Sequence, residues 1–339
     1  MLPNEVNKKR DLIAFSVIVL LAVLMTVITV NQNKKMSASL NDADSWQIAP
    51  WEKYEGNPIM TAGDYEWESK NVLNPTTIIK DDRIYMLYRA QTEDMTSYIG
   101  IAVSEDGYNF KKEDKPVLSP TEDYESSGVE DPRIVEIDGT YYMTYTGWTR
   151  VTNYLCLATS KDLYNWEKKG KMLPDWSAAT KSGAIVPKKI NDKYHMYFGD
   201  TNMYYATSDD LINWTPRTAP VLEMRFIKKE NGERFFDSML VEPGATPVIT
   251  DKGILLIYNG ADTWKKYSTG EVLFSLDDPS VVLERTEFPV LEVDHSLEKE
   301  GQVNNVVFSE GLVNFKGKWF LYYGMGDSRI GVAVCDMDK

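Results

Sequence analysis

The sequence predicts an all-β protein, a five-bladed β-propeller preceded by one N-terminal transmembrane helix. Five copies of an aromatic segment recur at intervals of roughly 50 to 65 residues, the spacing of propeller blades. The composition, with 20 Tyr and 9 Trp, favours strands over helices. An uncharged run near the N-terminus has the length that a membrane-spanning helix needs.

The uncharged run extends from Leu12 to Val30 and is predicted to be the transmembrane helix. Lys8, Lys9 and Arg10 precede it, and positive charges favour the cytoplasmic side of a membrane. Residues 1–11 are therefore predicted to be a short cytoplasmic tail.

The polar stretch over residues 31–44 is predicted to be a linker, and residues 45–339 are predicted to form the propeller. The protein is thus expected to be a single-pass membrane protein with a cytoplasmic N-terminus and a periplasmic or extracellular catalytic domain. A signal peptide cleaved near Ser37-Ala38-Ser39 is the alternative.

Each of the five repeats contains an aromatic strand that ends in Tyr-x-Gly or a close relative. The copies are Tyr88-Arg89-Ala90, Tyr145-Thr146-Gly147, Tyr197-Phe198-Gly199, Tyr258-Asn259-Gly260 and Tyr322-Tyr323-Gly324. An alternating apolar strand follows and leads into a Ser-x-Asp segment, at Ser104, Ser160, Ser208 and Ser275. Ser and Asp side chains form local hydrogen bonds in turns, so these residues are predicted to be structural.

The fifth repeat departs from this pattern, because Cys335-Asp336 stands where the serine turn should begin and the chain then ends. A closed ring leaves no exposed sheet edge, so the missing strand is predicted to come from the segment around Trp51. Cys156 and Cys335 lie in different repeats and are predicted to be buried free thiols.

A third segment precedes each aromatic strand by about a dozen residues and should be the innermost strand of its blade. The innermost strands of a propeller start at one mouth of the central channel. The residues expected there are Asn74, Asp131, Lys181, Glu242 and Glu310.

Three carboxylates in one pocket repel each other and raise at least one pKa, which leaves a proton available for acid catalysis. Two carboxyl groups suffice to cleave a glycosidic bond. Trp148 and Tyr323 are predicted to stack on sugar rings. The alternative is structural: Glu242 and Glu310 as solvated loop acids, and Asp131 as a turn cap with Arg133 paired to Glu130.

Other chemistries receive less support. The net charge of −14 repels nucleic-acid phosphates, so no nucleic-acid partner is expected. His195 and His295 belong to no cluster with ligand spacing, and no metal site is assigned, although an all-oxygen calcium site is left open. No organic cofactor is implied.

The segments Val129–Arg133, Gly183–Pro187 and Tyr322–Gly331 together resemble glycoside hydrolase family 130, the β-mannoside phosphorylases and hydrolases. The resemblance runs from about residue 50 to the end of the chain. It implies that Asp131 is the catalytic general acid and that Asn74, Arg89 and Asp327 contact sugar. Glu130, Lys181 and Asn259 complete the set of predicted substrate-binding residues.

The family contains enzymes that use phosphate and enzymes that use water. The phosphorylases carry a histidine in a Tyr-His-Gly segment that helps to hold phosphate, whereas this chain has Asn259 there. Glu242 and Glu310 add negative charge to the same mouth, which disfavours a phosphate dianion. Lys181 and Arg89 remain candidate phosphate contacts.

The resulting prediction is an inverting, exo-acting β-mannosidase that resembles the β-1,2-mannoside-directed branch of the family. Asp131 is the acid, acting directly or through a sugar hydroxyl, and Glu242 or Glu310 is the base that activates water. A mannose-containing oligosaccharide is the expected partner. The alternatives are a phosphorylase that releases mannose 1-phosphate, a five-bladed glycosidase acting on arabinosides or fructosides, and a glycan-binding propeller without turnover.

Overall fold

The computed structural model describes residues 45–63, 65–226, 232 and 234–336. The chain divides into two compact units, Met1–Pro50 with Lys339, and Trp51–Asp338. The described residues of the first unit, 45–50, contain no helix or strand. The second unit contains the sheets.

The described residues of the second unit form 21 strands that build one sheet after another along the chain. Blade 1 contains β2 (Asn71–Lys80), β3 (Arg83–Gln91), β4 (Ser97–Ser104) and β5 (Lys111–Lys112). Blade 2 contains β6 (Gly128–Ile137), β7 (Thr140–Trp148), β8 (Asn153–Ser160) and β9 (Trp166–Lys171). Blade 3 contains β10 (Ala184–Ile185), β11 (Tyr194–Phe198), β12 (Tyr204–Ser208) and β13 (Trp214–Pro216).

The last two blades complete the set. Blade 4 contains β14 (Leu240–Pro243), β15 (Val248–Ile249), β16 (Ile254–Ala261), β17 (Tyr267–Phe274) and β18 (Val282–Arg285). Blade 5 contains β19 (Val307–Phe315), β20 (Lys318–Met325), β21 (Arg329–Asp336) and β1 (Glu52–Lys53). Short helical segments precede three blades: 3-10 turns at Glu66–Glu68 and Asp123–Glu125, and helix α1 at Ser296–Lys299.

The five blades form a closed ring. The inner strand of each blade contacts a strand of a neighbouring blade, as β2 contacts β6 and β16 contacts β19, and β19 of blade 5 contacts β2 of blade 1. Apolar side chains fill the space between blades, as Met86 of blade 1 and Val332 of blade 5 do within one core cluster. Strand β1 supplies the outer strand of blade 5, with Lys53 opposite Ala333. The predicted closure of the ring by the segment around Trp51 is confirmed.

The Ser-x-Asp segments are turns, as predicted. In blade 1 the Ser104 hydroxyl accepts a hydrogen bond from the Gly107 N–H at 2.9 Å, and the Asp106 carboxylate accepts from two backbone N–H groups at 2.8 Å. The same contacts recur at Ser160 and Ser208. Cys156 and Cys335 are buried free thiols, which confirms the prediction made for them.

Four blades share a second structural feature, a buried carboxylate paired with a tyrosine and a cation, which we call a carboxylate latch. A fully buried carboxylate in the segment before the blade accepts a hydrogen bond from a tyrosine on the blade's second long strand, at 2.7 to 3.0 Å. A Lys or Arg on the outermost strand pairs with the same carboxylate. The latches are Glu68–Tyr88–Lys112, Glu125–Tyr145–Lys168, Asp237–Tyr258–Arg285 and Glu298–Tyr323–Lys53. Each joins the connecting segment to its own blade.

Blade 3 replaces the latch with apolar packing. Pro216 lies opposite Ala206, in the register where the other blades place the latch cation. Phe198 takes the place of the tyrosine, and Trp176 packs against it with ring centroids 5.3 Å apart. Blade 3 therefore holds its connecting segment without a buried charge.

This register corrects the sequence alignment in two blades. The latch tyrosines show that Tyr323, rather than Tyr322, is equivalent to Tyr88. In blade 3 the equivalent position is Phe198 rather than Tyr197. The Tyr-x-Gly pattern misplaced both repeats by one residue, because consecutive aromatic residues make the pattern ambiguous.

The predicted fold class and localisation also need correction. No helix in the described part of the chain is long and apolar enough to cross a membrane, and α1 has four residues where a span needs about 20. The predicted transmembrane helix at residues 12–30 lies outside the described residues. The fold class is therefore corrected to an all-β fold in which the described residues contain no membrane-spanning helix. The predicted membrane association, cytoplasmic N-terminus and periplasmic or extracellular catalytic domain are withdrawn with it.

Candidate active site

Bulges at the start of three inner strands position the candidate residues. The strand pairing is irregular at Asn74 in β2, at Asp131 in β6 and at Glu310 in β19. Asn74 and Asp131 both adopt a φ of 49°, a left-handed conformation that Asn and Asp tolerate better than most residues. Such bulges redirect a side chain, and here they bring Asn74, Asp131 and Glu310 to a shared pocket.

Arg89 joins two neighbouring carboxylates on one side of this pocket. Its guanidinium is 2.6 Å from Glu130 Oε1 and 3.2 Å from Asp131 Oδ1, and its Nε donates to Ser97 Oγ at 3.1 Å. The Ser97 hydroxyl in turn donates to Glu130 at 2.8 Å. Burial opposes ionisation of Asp131, but the cations of Arg89 and Lys181 outweigh it and lower the Asp131 pKa. These neighbouring cations therefore favour the ionised form of Asp131.

Arg133 bridges three blades beneath the pocket and is 2% exposed. Its Nη2 lies 2.7 Å from Glu310 Oε1 and 3.7 Å from Glu242 Oε1. It also donates to the carbonyl oxygens of Pro243 at 2.7 Å and Gly244 at 2.9 Å. The sequence-based alternative that paired Arg133 with Glu130 is wrong, because Glu130 is paired with Arg89 from the neighbouring blade.

Lys181 and Ser182 hold Glu242 from the side of blade 3. Lys181 Nζ lies 3.2 Å from Glu242 Oε2, and the Ser182 hydroxyl donates to Glu242 Oε1. Burial opposes the Lys181 charge, but Glu242 and Asp131 stabilise it and raise its pKa. Glu242 pairs with Asn259 at the same register at which Glu130 pairs with Thr146 in blade 2. Glu242 is therefore equivalent to Glu130 rather than to Asp131.

Several carboxyl groups of the pocket have raised pKa values. Burial raises the Glu310 pKa to about 8; Arg133 opposes this, and the charges of Asp131 and Glu242 add to it. Burial raises the Asp327 pKa to about 6 and also raises the pKa of Glu242. Asn74 Oδ1 and Glu310 Oε2 have no hydrogen-bond partner within the described part of the chain. The pocket thus retains a proton near neutral pH and has free acceptor atoms.

Two predicted sugar contacts have other roles. Tyr323 is fully buried and donates to Glu298 in its latch, so it has no open face for stacking on a sugar. The Asn259 amide donates to the Ser309 carbonyl at 3.0 Å and accepts from the Ser309 N–H at 2.8 Å. Both ends of that amide therefore hold β19 in place next to Glu310.

Trp148 is half-buried at the end of β7, where its carbonyl accepts from the Ser127 N–H at 2.8 Å. No hydrogen bond or ring contact among the described residues joins it to the carboxyl cluster. Its predicted role in sugar stacking stays a prediction.

Sequence reasoning missed four members of the pocket wall. Ser97 and Ser182 hold carboxylates, Arg133 links the two candidate bases, and Tyr267 is partly buried among the pocket charges. Burial raises the Tyr267 pKa, which Lys181 lowers and Glu242 and Asp327 raise. Only Arg133 had a sequence signal, since it follows Asp131 by two residues.

We call the charged groups described above, with Asp327, the mouth cluster. Among the described residues, its acids are Glu130, Asp131, Glu242, Glu310 and Asp327, and its cations are Arg89, Arg133 and Lys181. Each cation is already paired with at least one of these acids. Carboxyl groups on opposed strands, some protonated and some ionised, are suited to acid and base catalysis of a displacement reaction.

Comparison with known proteins identifies relatives that are named for activity on mannosides. The glycosyl hydrolase family 130 model, described as β-1,4-mannooligosaccharide phosphorylase, matches residues 47–339. A 1,2-β-oligomannan phosphorylase from Thermoanaerobacter sp. strain X514 is 39% identical over 82% of this chain and 94% of its own length.

Two solved structures are similarly close. A glycosyl hydrolase from Bacteroides ovatus is 34% identical with a TM-score of 0.81, covering 88% of this chain and 97% of that protein. A second has a TM-score of 0.78 and 33% identity, with the same coverage. It belongs to a report that the GH130 family of mannoside phosphorylases contains glycoside hydrolases that target β-1,2 mannosidic linkages in Candida mannan.

Proposed function

Because this chain belongs to glycoside hydrolase family 130, we propose that it hydrolyses β-1,2-linked manno-oligosaccharides from the end that enters the mouth. The observation that carries this proposal is the pair of buried glutamates, Glu242 and Glu310, in a pocket whose cations are already neutralised by carboxylates. The β-1,2 linkage is suggested by the names of the relatives and by no contact in this pocket.

Asp131 is the proposed general acid that delivers the proton to the leaving oxygen. Its pKa is lowered in the ligand-free pocket, whereas Glu310 and Asp327 have raised pKa values and interact electrostatically with it. Interacting acids share their protons as a set. Protonation of the leaving oxygen therefore requires proton transfer within this set, directly or through a sugar hydroxyl.

Glu242 or Glu310 is the proposed base that activates water, and Glu310 acts as the base after its proton has passed to Asp131. Both are almost fully buried, and each is oriented by a cation on another blade, Lys181 for Glu242 and Arg133 for Glu310. Asp131 belongs to blade 2, whereas the two glutamates belong to blades 4 and 5. Carboxyl groups far enough apart to admit water suit a single displacement, with water between the sugar and the base. This mechanism inverts the anomeric configuration.

Incubation with β-1,2-mannobiose, followed by product analysis, tests the proposal. We expect mannose at a rate that does not depend on phosphate, and proton NMR in the first minutes should show α-mannose before the β-anomer. The β-1,3- and β-1,4-linked disaccharides serve as linkage controls. Early β-mannose would instead indicate a covalent mechanism with one glutamate as nucleophile.

Phosphorolysis is the second candidate, and the comparisons support it better than they support hydrolysis. The 39% identical relative is a phosphorylase, and Lys181 and Arg89 could contact an anion. Against it, a phosphate dianion would have to compete with Glu242 for Lys181 and with Glu130 and Asp131 for Arg89. A rate that rises in proportion to added phosphate, with mannose 1-phosphate as product, would establish phosphorolysis.

A further inference from the structure

Trp264 is an exposed aromatic residue on a well-defined turn. It lies in the turn between β16 and β17, and 84% of its surface is exposed. The Asp262 carboxylate accepts hydrogen bonds from the N–H groups of Trp264 at 2.8 Å and Lys266 at 3.1 Å, and the Asp262 N–H donates to the Lys266 carbonyl at 3.2 Å. The backbone that carries the indole is thus ordered before any ligand arrives, which lowers the entropy cost of binding.

The same turn lies beside the mouth cluster. Glu242 of β14 lies opposite Asn259 of β16, and the strand continues for two more residues to Ala261 before the turn begins. Two strand residues span about 7 Å. Tyr267 lies opposite Ala261 at the start of β17, and its side chain is partly buried near Lys181 and Glu242. Trp264 therefore lies at the rim of the mouth, in the turn that adjoins Tyr267 and further from the mouth cluster than Tyr267.

The equivalent turns of the other blades carry no exposed aromatic residue among the described residues. Blade 2 has Val151 at its turn, 89% exposed, and Trp264 is the large aromatic residue with the greatest exposure in the described chain. Trp264 makes no ring contact with another described aromatic residue or cation. A large indole left in water on a rigid turn suits a ligand surface better than a structural role.

We propose that Trp264 binds the mannosyl units beyond the first one that follows the cleaved linkage, so that the enzyme prefers manno-oligosaccharides of three or more units to the disaccharide. This inference rests on the proposed function. The catalytic carboxyl groups are almost fully buried, so the terminal mannosyl unit occupies the pocket and the rest of the chain passes over the rim. The indole face offers these units an apolar surface for the C–H groups of the sugar ring.

Kinetics with β-1,2-linked mannobiose, mannotriose and mannotetraose test this proposal. Trp264→Ala should raise KM for the tetraose about 3- to 10-fold, the size of one aromatic contact. It should leave kcat unchanged and KM for mannobiose within about twofold. Trp264→Tyr should retain part of the effect. Val151→Ala is the matched control, since it truncates an equally exposed apolar residue at the equivalent turn, and it should change no parameter.

Binding gives a second readout that does not need turnover. In the Asp131→Asn background, calorimetry should show the same 3- to 10-fold weaker binding of mannotetraose on adding Trp264→Ala. Equal effects on all chain lengths, or none, would overturn the role of Trp264 while leaving the hydrolase proposal intact. A wild-type protein that cleaves none of these oligosaccharides would overturn the proposed function and this inference with it.

Discussion

The buried carboxylates of this propeller form two groups that differ in their partners. The latch carboxylates, such as Glu125, are fully buried, and each accepts a hydrogen bond from a tyrosine and pairs with a cation of the same blade. The mouth carboxylates Glu242 and Glu310 are equally buried, but their partners come from other blades and Glu310 Oε2 has no hydrogen-bond partner among the described residues.

Burial alone therefore does not identify a catalytic acid. A carboxylate whose oxygens are occupied by donors of its own blade has no acceptor atom left for a ligand, as in the latches. A carboxylate surrounded by other carboxylates and left with a free oxygen has a raised pKa and an acceptor atom for a ligand, as in the mouth cluster. Substitutions in the mouth cluster should therefore lower turnover, whereas substitutions in the latches should lower stability.

The largest expected effect is on turnover. Asp131→Asn should lower kcat by about 10² to 10⁴, the usual contribution of general acid catalysis, because Asn cannot pass on a proton. The thermal midpoint should stay close to that of the wild type, since the amide still accepts from Arg89. Near-normal turnover in the folded variant would remove Asp131 from the mechanism.

A latch carboxylate should affect stability instead. Glu125→Ala leaves Lys168 with its charge unpaired and Tyr145 without its acceptor, and removing one partner of a buried ion pair costs about 3 to 5 kcal/mol. Urea unfolding should show this loss, while kcat of the folded fraction stays unchanged. Glu167→Ala, in an exposed pair on the same blade, is the control and should cost at most about 1 kcal/mol.

A smaller loss is expected from the tyrosine of the same latch. Tyr145→Phe removes one hydrogen bond to a charged group and should cost about 1.5 to 3 kcal/mol in urea unfolding. Blade 3 already has Phe198 at the equivalent position, but there Trp176 packs against the ring and no carboxylate lacks a donor. A neutral effect of Tyr145→Phe would mean that Lys168 alone satisfies Glu125.

The last expected effect, the smallest when measured per pH unit, is a slope in the pH dependence of stability. The folded-state Glu310 pKa of about 8 exceeds its ordinary value, so between about pH 4.5 and pH 8 the folded protein binds a proton that the unfolded chain has released. Its contribution to the free energy of unfolding is therefore complete below pH 4.5 and is lost as pH rises, by at most about 1.4 kcal/mol per pH unit. Urea unfolding of Glu310→Gln should show a shallower slope over this range than wild type; identical slopes would contradict the raised pKa.

Side chains that repeat were easier to predict than side chains that do not. The Ser-x-Asp turns and the closing strand follow from local hydrogen bonds and from the need to pair a sheet edge, and both are confirmed. The buried position of Tyr323 was not predicted, because a shift of one residue moves a strand side chain to the other face. Two adjacent tyrosines in β20 left that register undecided until the pairing with β21 was known.

The sequence by itself determined the number of blades, the closure of the ring and the residue types that line the mouth, because these depend on repeats and on local strand and turn preferences. Only the tertiary structure decided which carboxylates are saturated and which are reactive. Arg133 reaches Glu310 across 177 positions of sequence, and Ser182 reaches Glu242 across 60. A pKa depends on charges and donors within a few ångströms, so contacts between blades decide it.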